Sequence, residues 1–137
     1  MEILIDTNIV LDAISKRAPF DLDAYSILKL ADEKKVNAHI AALSITDIYY
    51  FISKKLDHAG RIKAIRALFN IANVVSITKQ DIEKAMAFSD CKDLEDALQM
   101  QCLNKVKGDF IITRDAEFQK ISGKAISPTD FLKAFGK

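Results

Sequence analysis

Short apolar runs alternate along the whole chain with stretches whose apolar positions recur every three or four residues. Glu2-Ile3-Leu4-Ile5 predicts a short strand. A helix follows over residues 8–15, with Ile9, Val10 and Ala13 on one side, until Ala18-Pro19-Phe20 breaks the pattern. A second helix is predicted over 21–35, with Tyr25, Leu28, Ala31 and Asp32 at helical spacing, and a second strand over 38–43. Ser44 is expected to cap a helix to about Leu56, and another helix runs from about 58 to 72. Val74-Val75-Ser76-Ile77 reads as a third strand, and Thr78 with Asp81 as a capping box that starts a helix to about Phe88. Residues 93–106 carry the stripe Leu94, Ala97, Leu98, Cys102 and Val106, and Gly108 is expected to stop that helix. Asp109 to Ile112 predicts a fourth strand, followed by a short helix and a weak edge strand near Ala125-Ile126. Ser127-Pro128 opens a last helix, with Pro in the first turn, where a missing N–H does no harm.

Strand, helix and strand in alternation predict an α/β fold of three layers, with helices on both faces of a mostly parallel sheet of four to five strands. The chain of 137 residues is read as one domain spanning 1–137. Half of its residues are hydrophobic and 28% are charged, which excludes a disordered or fibrous chain. A net charge of +1 argues against a polyanion binder that works by bulk charge, and leaves room for a local basic strip. No apolar run approaches a membrane span, and Met1-Glu2 opens no secretory signal, so a cytoplasmic protein is expected. Cys91 and Cys102 lack C-x-x-C spacing and read as free thiols.

In parallel sheets a site lies beyond the carboxyl ends of the strands. Asp6 follows the first strand, and Asp47 lies early in the helix after the second. Asp93 and Asp96 open the long helix before the fourth strand, and Asp115 lies just past that strand. Each has a local explanation. Asp6 can bond the following turn, Asp47 can pair with Ser44 in a capping box, and the others can cap or favour helix N-termini. Together they are expected at one end of the sheet, where carboxylates raise each other's pKa unless a cation sits among them. Oxygen-only ligands suit Mg²⁺ or Mn²⁺ rather than Zn²⁺, and carboxylate-bound Mg²⁺ works on phosphates. His39 and His58 do not flank these positions and are assigned structural or surface roles.

Four segments, in order, resemble the motifs of PIN domains: Ile5-Asp6-Thr7-Asn8, Ser44-x-Thr46-Asp47-Ile48-Tyr49-Tyr50, Asp93-Leu94-Glu95-Asp96-Ala97-Leu98 and Ile112-Thr113-Arg114-Asp115-x-x-Phe118. The likeness covers about residues 2–133. It implies a PIN-like fold and a Mg²⁺- or Mn²⁺-dependent endoribonuclease with one or two ions. Chains of this length are similar to VapC-like toxins, which implies a homodimer and a small antitoxin partner. By position Asp6, Asp96 and Asp115 match the family's metal-holding acids, with Asp93 as an additional acid, and Asn8 and Thr113 match the polar residues that support them. Asp47 stands where the family usually has Glu, and its shorter arm leaves direct metal contact open there.

Asp93 or Asp47 is expected to orient the attacking water. Lys54, Lys55, Arg61, Lys63, Arg66 and Arg114 are candidates for drawing RNA to a negative site, with Tyr49 and Tyr50 as stacking candidates. Ile45, Ile48 and Phe51 are candidates for a dimer surface. The competing function is a catalytically weak PIN module that binds RNA or a protein partner without cutting. Haloacid dehalogenase and receiver readings fail on spacing, since Asn8 stands where the first needs Asp and Ile77-Thr78 where the second needs its phosphoacceptor.

Overall fold

The computed structural model describes residues 1–136. Strand β1 (Glu2–Ile5) leads into helix α1 (Thr7–Ile14), α2 (Asp21–Asp32) and β2 (Asn37–Ala41). Helix α3 (Ala42–Phe51) continues through a 3-10 turn (Ile52–Lys54) to α4 (His58–Phe69) and β3 (Ala72–Val75). Then come α5 (Lys79–Met86), α6 (Leu94–Lys105), β4 (Phe110–Ile112), α7 (Ala116–Ile121), β5 (Ala125–Ile126) and α8 (Pro128–Phe135).

The strands form one sheet in the order β3-β2-β1-β4-β5, and every neighbouring pair is parallel. Successive side chains of a strand point to opposite faces, so each buried strand feeds two cores. Ile3 and Ile5 of β1 join a core with Ile9 of α1, Ile27 of α2, Ile48 of α3, Leu68 of α4 and Phe131 of α8. Leu4 faces the other way, into a second core with Leu103 of α6 and Phe118 of α7. Burial on both faces explains why β1 and β4 read as unbroken apolar runs. The chain moves from β1 outward to β2 and β3, then returns past β1 to β4. The junction between β1 and β4 is therefore the switch point of the sheet.

Several boundaries differ from the sequence expectation. Strand β2 ends at Ala41, and α3 begins at Ala42 with no side-chain cap. Ser44 therefore caps nothing, and it forms no capping box with Asp47. Its buried hydroxyl instead accepts from Thr7 Oγ1 at 2.7 Å and from Gln99 Nε2 at 3.2 Å, tying α3 to α1 and α6. Strand β3 lies two residues earlier than expected, because Asn73 and Val74 sit exposed on an edge strand and Ile77 packs on the second core instead.

The capping box of Thr78 and Asp81 opens α5 as expected. Helix α6 closes with Lys107 in the left-handed region at φ 52°, with the Lys107 and Gly108 N–H groups bonded back to Asn104 and Leu103. Gly108 serves close packing, since a Cβ there would run into Leu103 Cδ1. Ile48 is fully buried and offers no surface to a partner, whereas Tyr50 and Phe51 are 71% and 53% exposed.

Candidate active site

Asp6 follows β1 directly and Thr113 follows β4 directly, so the switch point sets them side by side. The Asp6 N–H donates to the Ile112 carbonyl at 3.0 Å, which continues the β1–β4 pairing by one residue. The buried Thr113 hydroxyl donates to Asp6 Oδ2 at 2.7 Å and accepts the Asp115 N–H at 3.0 Å. One hydroxyl thus fixes two acids relative to each other. Local sequence makes this possible: Asp6 is the N-cap of α1, Asp115 the N-cap of α7, and both junctions need a residue in extended conformation.

Asp93 caps α6, its Oδ1 accepting the Asp96 N–H at 3.0 Å, and Asp115 Oδ1 accepts the Glu117 N–H at 2.9 Å. Capping takes one oxygen from each of these carboxylates and leaves the other available. The cap explanation and a functional one are compatible for Asp93 and Asp115. Beside them opens a cleft of about 380 Å³ lined by Asp90, Cys91, Lys92, Asp93, Asp96 and Glu117.

The acids sense one another. Burial, and then the charges of Asp93, Asp115, Asp6 and Glu95, push Asp96 up to about 6. Burial raises Asp6 as well, and the neighbouring Asp115 adds to it. The Thr113 hydroxyl, the Thr7 backbone and the Arg114 charge work against that rise. Glu95 is raised by burial and by the charges of Asp47, Asp93 and Asp6. Glu95 is a member of the acidic group that motif reading passed over. Its signal in the sequence is its place between Asp93 and Asp96, in the first turn of a helix that begins at the same end of the sheet.

Among the described residues, no three His, Cys, Asp or Glu side chains are gathered closely enough to hold a metal ion as they stand. The donor set nevertheless has the chemistry of a hard-cation site: oxygen ligands only, with Asp6, Glu95 and Asp96 disfavoured as anions by burial and by the carboxylates around them. An ion held by one or two carboxylates and its own waters, the mode Mg²⁺ favours, needs no tighter cluster.

The other candidates are distributed differently. Asn8 is exposed on the first turn of α1 and makes no side-chain hydrogen bond among the described residues, so the support for the acids comes from Thr113. Arg114 is not a free cation. It donates to the fully buried Asp12 through Nε to Oδ2 at 2.6 Å and Nη2 to Oδ1 at 3.0 Å, and its guanidinium lies 3.9 Å over the Phe20 ring.

Arg61 lies 4.0 Å over Tyr49 and reaches the Asp57 and Tyr49 carbonyls, while Lys55 Nζ donates to the Ser15 carbonyl at 2.8 Å. Both are engaged in the fold. Lys54, Lys63 and Arg66 are exposed, as is Tyr50, while Tyr49 is occupied by Arg61 and bonds His58 at 2.7 Å. His39 is buried in β2, 3.6 Å from Glu2, so neither imidazole stands among the acids. Cys91 and Cys102 are free thiols, and Cys91 Sγ donates to the Asp93 carbonyl at 3.2 Å.

A PIN domain family model matches residues 2–117. The ribonuclease VapC1 of Aquifex aeolicus is 23% identical over 136 residues, which span 96% of this chain and 94% of that protein. Among solved structures, VapBC2 of Rickettsia felis, bound to a DNA fragment from its promoter, aligns with a TM-score of 0.70 at 15% identity over 93% of this chain and 98% of that one. A toxin–antitoxin complex from Klebsiella pneumoniae aligns with a TM-score of 0.70 at 21% identity, over 91% and 96%. VapC20 of Mycobacterium tuberculosis, a toxin that cleaves the sarcin–ricin loop, aligns with a TM-score of 0.67 at 14% identity, over 86% and 93%. At these identities the structural likeness speaks to the fold.

Proposed function

The chain belongs to the PIN domain family, and from that premise we propose that it is a cytoplasmic, divalent-metal-dependent endoribonuclease, the toxin of a type II toxin–antitoxin pair. The observation that carries this reading is the shared Thr113 hydroxyl, which fixes Asp6 and Asp115 together where Asp96 has its proton affinity raised by burial and then by four other acids. A fold keeps such mutual repulsion where a cation relieves it.

Asp6, Asp96 and Asp115 would supply the carboxylates for Mg²⁺ or Mn²⁺, one or two ions, each held by one or two of them and completed by water, with Asp93, Asp47 and Glu95 beside them. When bound, the cation supplies charge neutralisation at the phosphoryl oxygens and a more acidic water. The residues of the chain do the positioning. Thr113 keeps Asp6 in one rotamer, and the capping bonds of Asp93 and Asp115 keep one oxygen of each turned to its helix and the other free. Asp93 or Asp47 would orient the water that attacks phosphorus in line and take up its proton. The bond between phosphorus and the leaving ribose oxygen then breaks, and that oxygen takes a proton from solvent.

Exposed Lys54, Lys63 and Arg66 would draw RNA electrostatically, since Arg61, Lys55 and Arg114 are engaged in the fold. The exposed pair Tyr50 and Phe51, ring centroids 5.6 Å apart, supports a homodimer surface. An apolar groove of about 500 Å³, lined by Ile14, Tyr25, Leu28, Ala64, Leu68 and Ile71, supports docking of a small antitoxin protein. No helix among the described residues is long and apolar enough to cross a membrane.

The test is cleavage of bulk RNA by purified protein with Mg²⁺ or Mn²⁺, abolished by Asp6→Asn. RNA binding by wild type with no cleavage under any divalent metal would favour the non-cutting module instead.

A further inference from the structure

We infer that the cleft between the Pro19-Phe20 turn and the start of α8 is a nucleobase subsite, in which an unstacked base of single-stranded RNA lies on the exposed ring of Phe20. The inference rests on the reading of the chain as a ribonuclease. The cleft measures about 590 Å³, and its walls include Phe20, Asp23, Arg114, Gln119, Ser127 and Thr129.

Its position comes from the chain. Arg114 stands between Thr113 and Asp115, so the cleft shares with the acids the segment that follows β4. RNA whose scissile phosphate meets those acids has neighbouring bases to place along that segment.

Its rigidity comes from a chain of contacts. Asp12, fully buried in α1, grips the Arg114 guanidinium through two hydrogen bonds. The flat guanidinium lies 3.9 Å over one face of Phe20. The Phe20 backbone is itself fixed, its N–H on the Arg17 carbonyl at 2.9 Å and its carbonyl accepting the Ala24 N–H at 3.2 Å. The ring is held in one plane and still remains 43% exposed. A pre-set aromatic plane is what single-stranded RNA readers offer to a splayed base.

The chemistry favours a base over a phosphate. The positive charge of Arg114 is already met by Asp12, and Asp23 adds a carboxylate to the wall. A phosphate would find no unpaired cation there. A base edge would find neutral polar groups. Gln119 donates its amide to the Thr113 carbonyl at 3.2 Å and keeps its own oxygen as an acceptor. Ser127 accepts the Asp130 N–H at 3.1 Å and keeps its hydroxyl hydrogen to donate.

The experiment compares binding of short oligoadenylate with binding of an abasic oligomer of equal length, in Mg²⁺ and in an Asp6→Asn background that prevents cutting. Phe20→Leu keeps the apolar bulk and removes the ring, and Phe20→Tyr keeps the ring. Phe20→Leu should weaken oligoadenylate binding by about five-fold or more, the lower bound for loss of one base–aromatic stack, and leave the abasic oligomer unchanged. Phe20→Tyr should retain wild-type preference. The chain has no Trp, so Phe20→Trp adds a single fluorophore that oligoadenylate should quench and the abasic oligomer should not.

Equal weakening for both oligomers, or no change with Phe20→Leu and no quenching with Phe20→Trp, would overturn the subsite while the ribonuclease reading stands on cleavage by the wild type. A wild type that neither cuts RNA nor binds either oligomer would overturn both.

Discussion

Asp12 is fully buried, and Arg114 meets it with two parallel hydrogen bonds of 2.6 and 3.0 Å across a sequence separation of 102 residues. Its neighbour Thr113 reaches in the same way from β4 to Asp6. Two consecutive residues after β4 therefore hold two carboxylates of the segment that follows β1. This double clamp closes the switch point of the sheet and fixes the loop that carries Asp115. Arg17 adds a looser contact to Asp12 at 3.8 Å.

Breaking the inner pair by removing one partner leaves an uncompensated buried charge. Arg114→Ala should cost about 3 kcal/mol, at the low end for such pairs because Arg114 is partly exposed. Arg114→Lys should recover only part, since an ammonium cannot donate to both oxygens in the plane of the carboxylate. Urea unfolding measures both. An Arg114→Ala protein as stable as wild type would show that Arg17 or water satisfies Asp12 alone.

Thr113→Val tests the outer half of the clamp. It keeps the shape and removes the hydroxyl shared by Asp6 and Asp115. A hydrogen bond to a charged group is worth roughly 1.5–3 kcal/mol, so stability should fall by up to that amount. The Thr113 bond is the largest influence holding the Asp6 pKa down, so that pKa should rise further without it. The acid limb of the pH–rate profile should then move to higher pH, a change that a merely looser fold would not produce. An unmoved limb together with full activity would remove Thr113 from the site.

The sheet and most helices were legible in residue pattern, because β1 and β4 are buried on both faces and their apolar runs are bounded by Asp6, Asp109 and Thr113. What was not legible depends on contacts remote in sequence. Ser44 followed by Asp47 has the form of a capping box, yet burial against Thr7 and Gln99 draws Ser44 inside the first turn of α3. Asp12 sits in α1 directly after the apolar run Ile9, Val10 and Leu11, and nothing local announces that Arg114 completes it. Arg114 then reads as a free cation near the acids, when its charge is already spoken for. Glu95 was passed over because spacing of three residues puts Asp93 and Asp96 on one helix face. At a helix N-terminus beside a strand end, the first-turn positions face the site more broadly than that rule allows.

Asp96 adds its own pH dependence to the metal-free fold. Its pKa is raised from 3.8 to about 6. A group raised in the folded state contributes its stability fully below the unfolded value and loses it as pH rises through the folded value. Metal-free wild type should therefore lose stability between about pH 4 and pH 6, and Asp96→Asn should flatten that fall. Above pH 6 the metal-free variant should melt higher than wild type. Millimolar Mn²⁺ should reverse the order, since an ion that binds only the native state adds about 2.7 kcal/mol at a hundred times its dissociation constant. Calorimetry with and without Mn²⁺ gives both signs. A wild-type melting temperature indifferent to Mn²⁺ would count against the acids as a metal site.

Asp47 is the residue where this chain departs from the pattern it resembles, and the fold removes the simplest alternative for it. Helix α3 begins at Ala42 without a side-chain cap, so Asp47→Ala forfeits no capping bond. Instead burial, and then the charge of Asp47, raise the Glu95 pKa. Removing Asp47 should relieve this repulsion, so metal-free stability should hold or rise and the Glu95 pKa should fall. If Asp47 serves the reaction, activity should drop at least ten-fold, because a group worth more than about 1.4 kcal/mol to the transition state is gone. Asp47→Glu keeps the charge and lengthens the arm by one methylene. It should preserve activity or raise it at low Mg²⁺. The double variant Asp47→Ala with Glu95→Gln separates the two acids. If Glu95 already supplies the reach that Asp47 lacks, Asp47→Ala alone should cost little and the double variant should lose far more than the two single losses combined. Losses that simply add would leave Asp47 acting by itself. Full activity in the double variant would remove both acids and leave Asp6, Asp93, Asp96 and Asp115 to do the work.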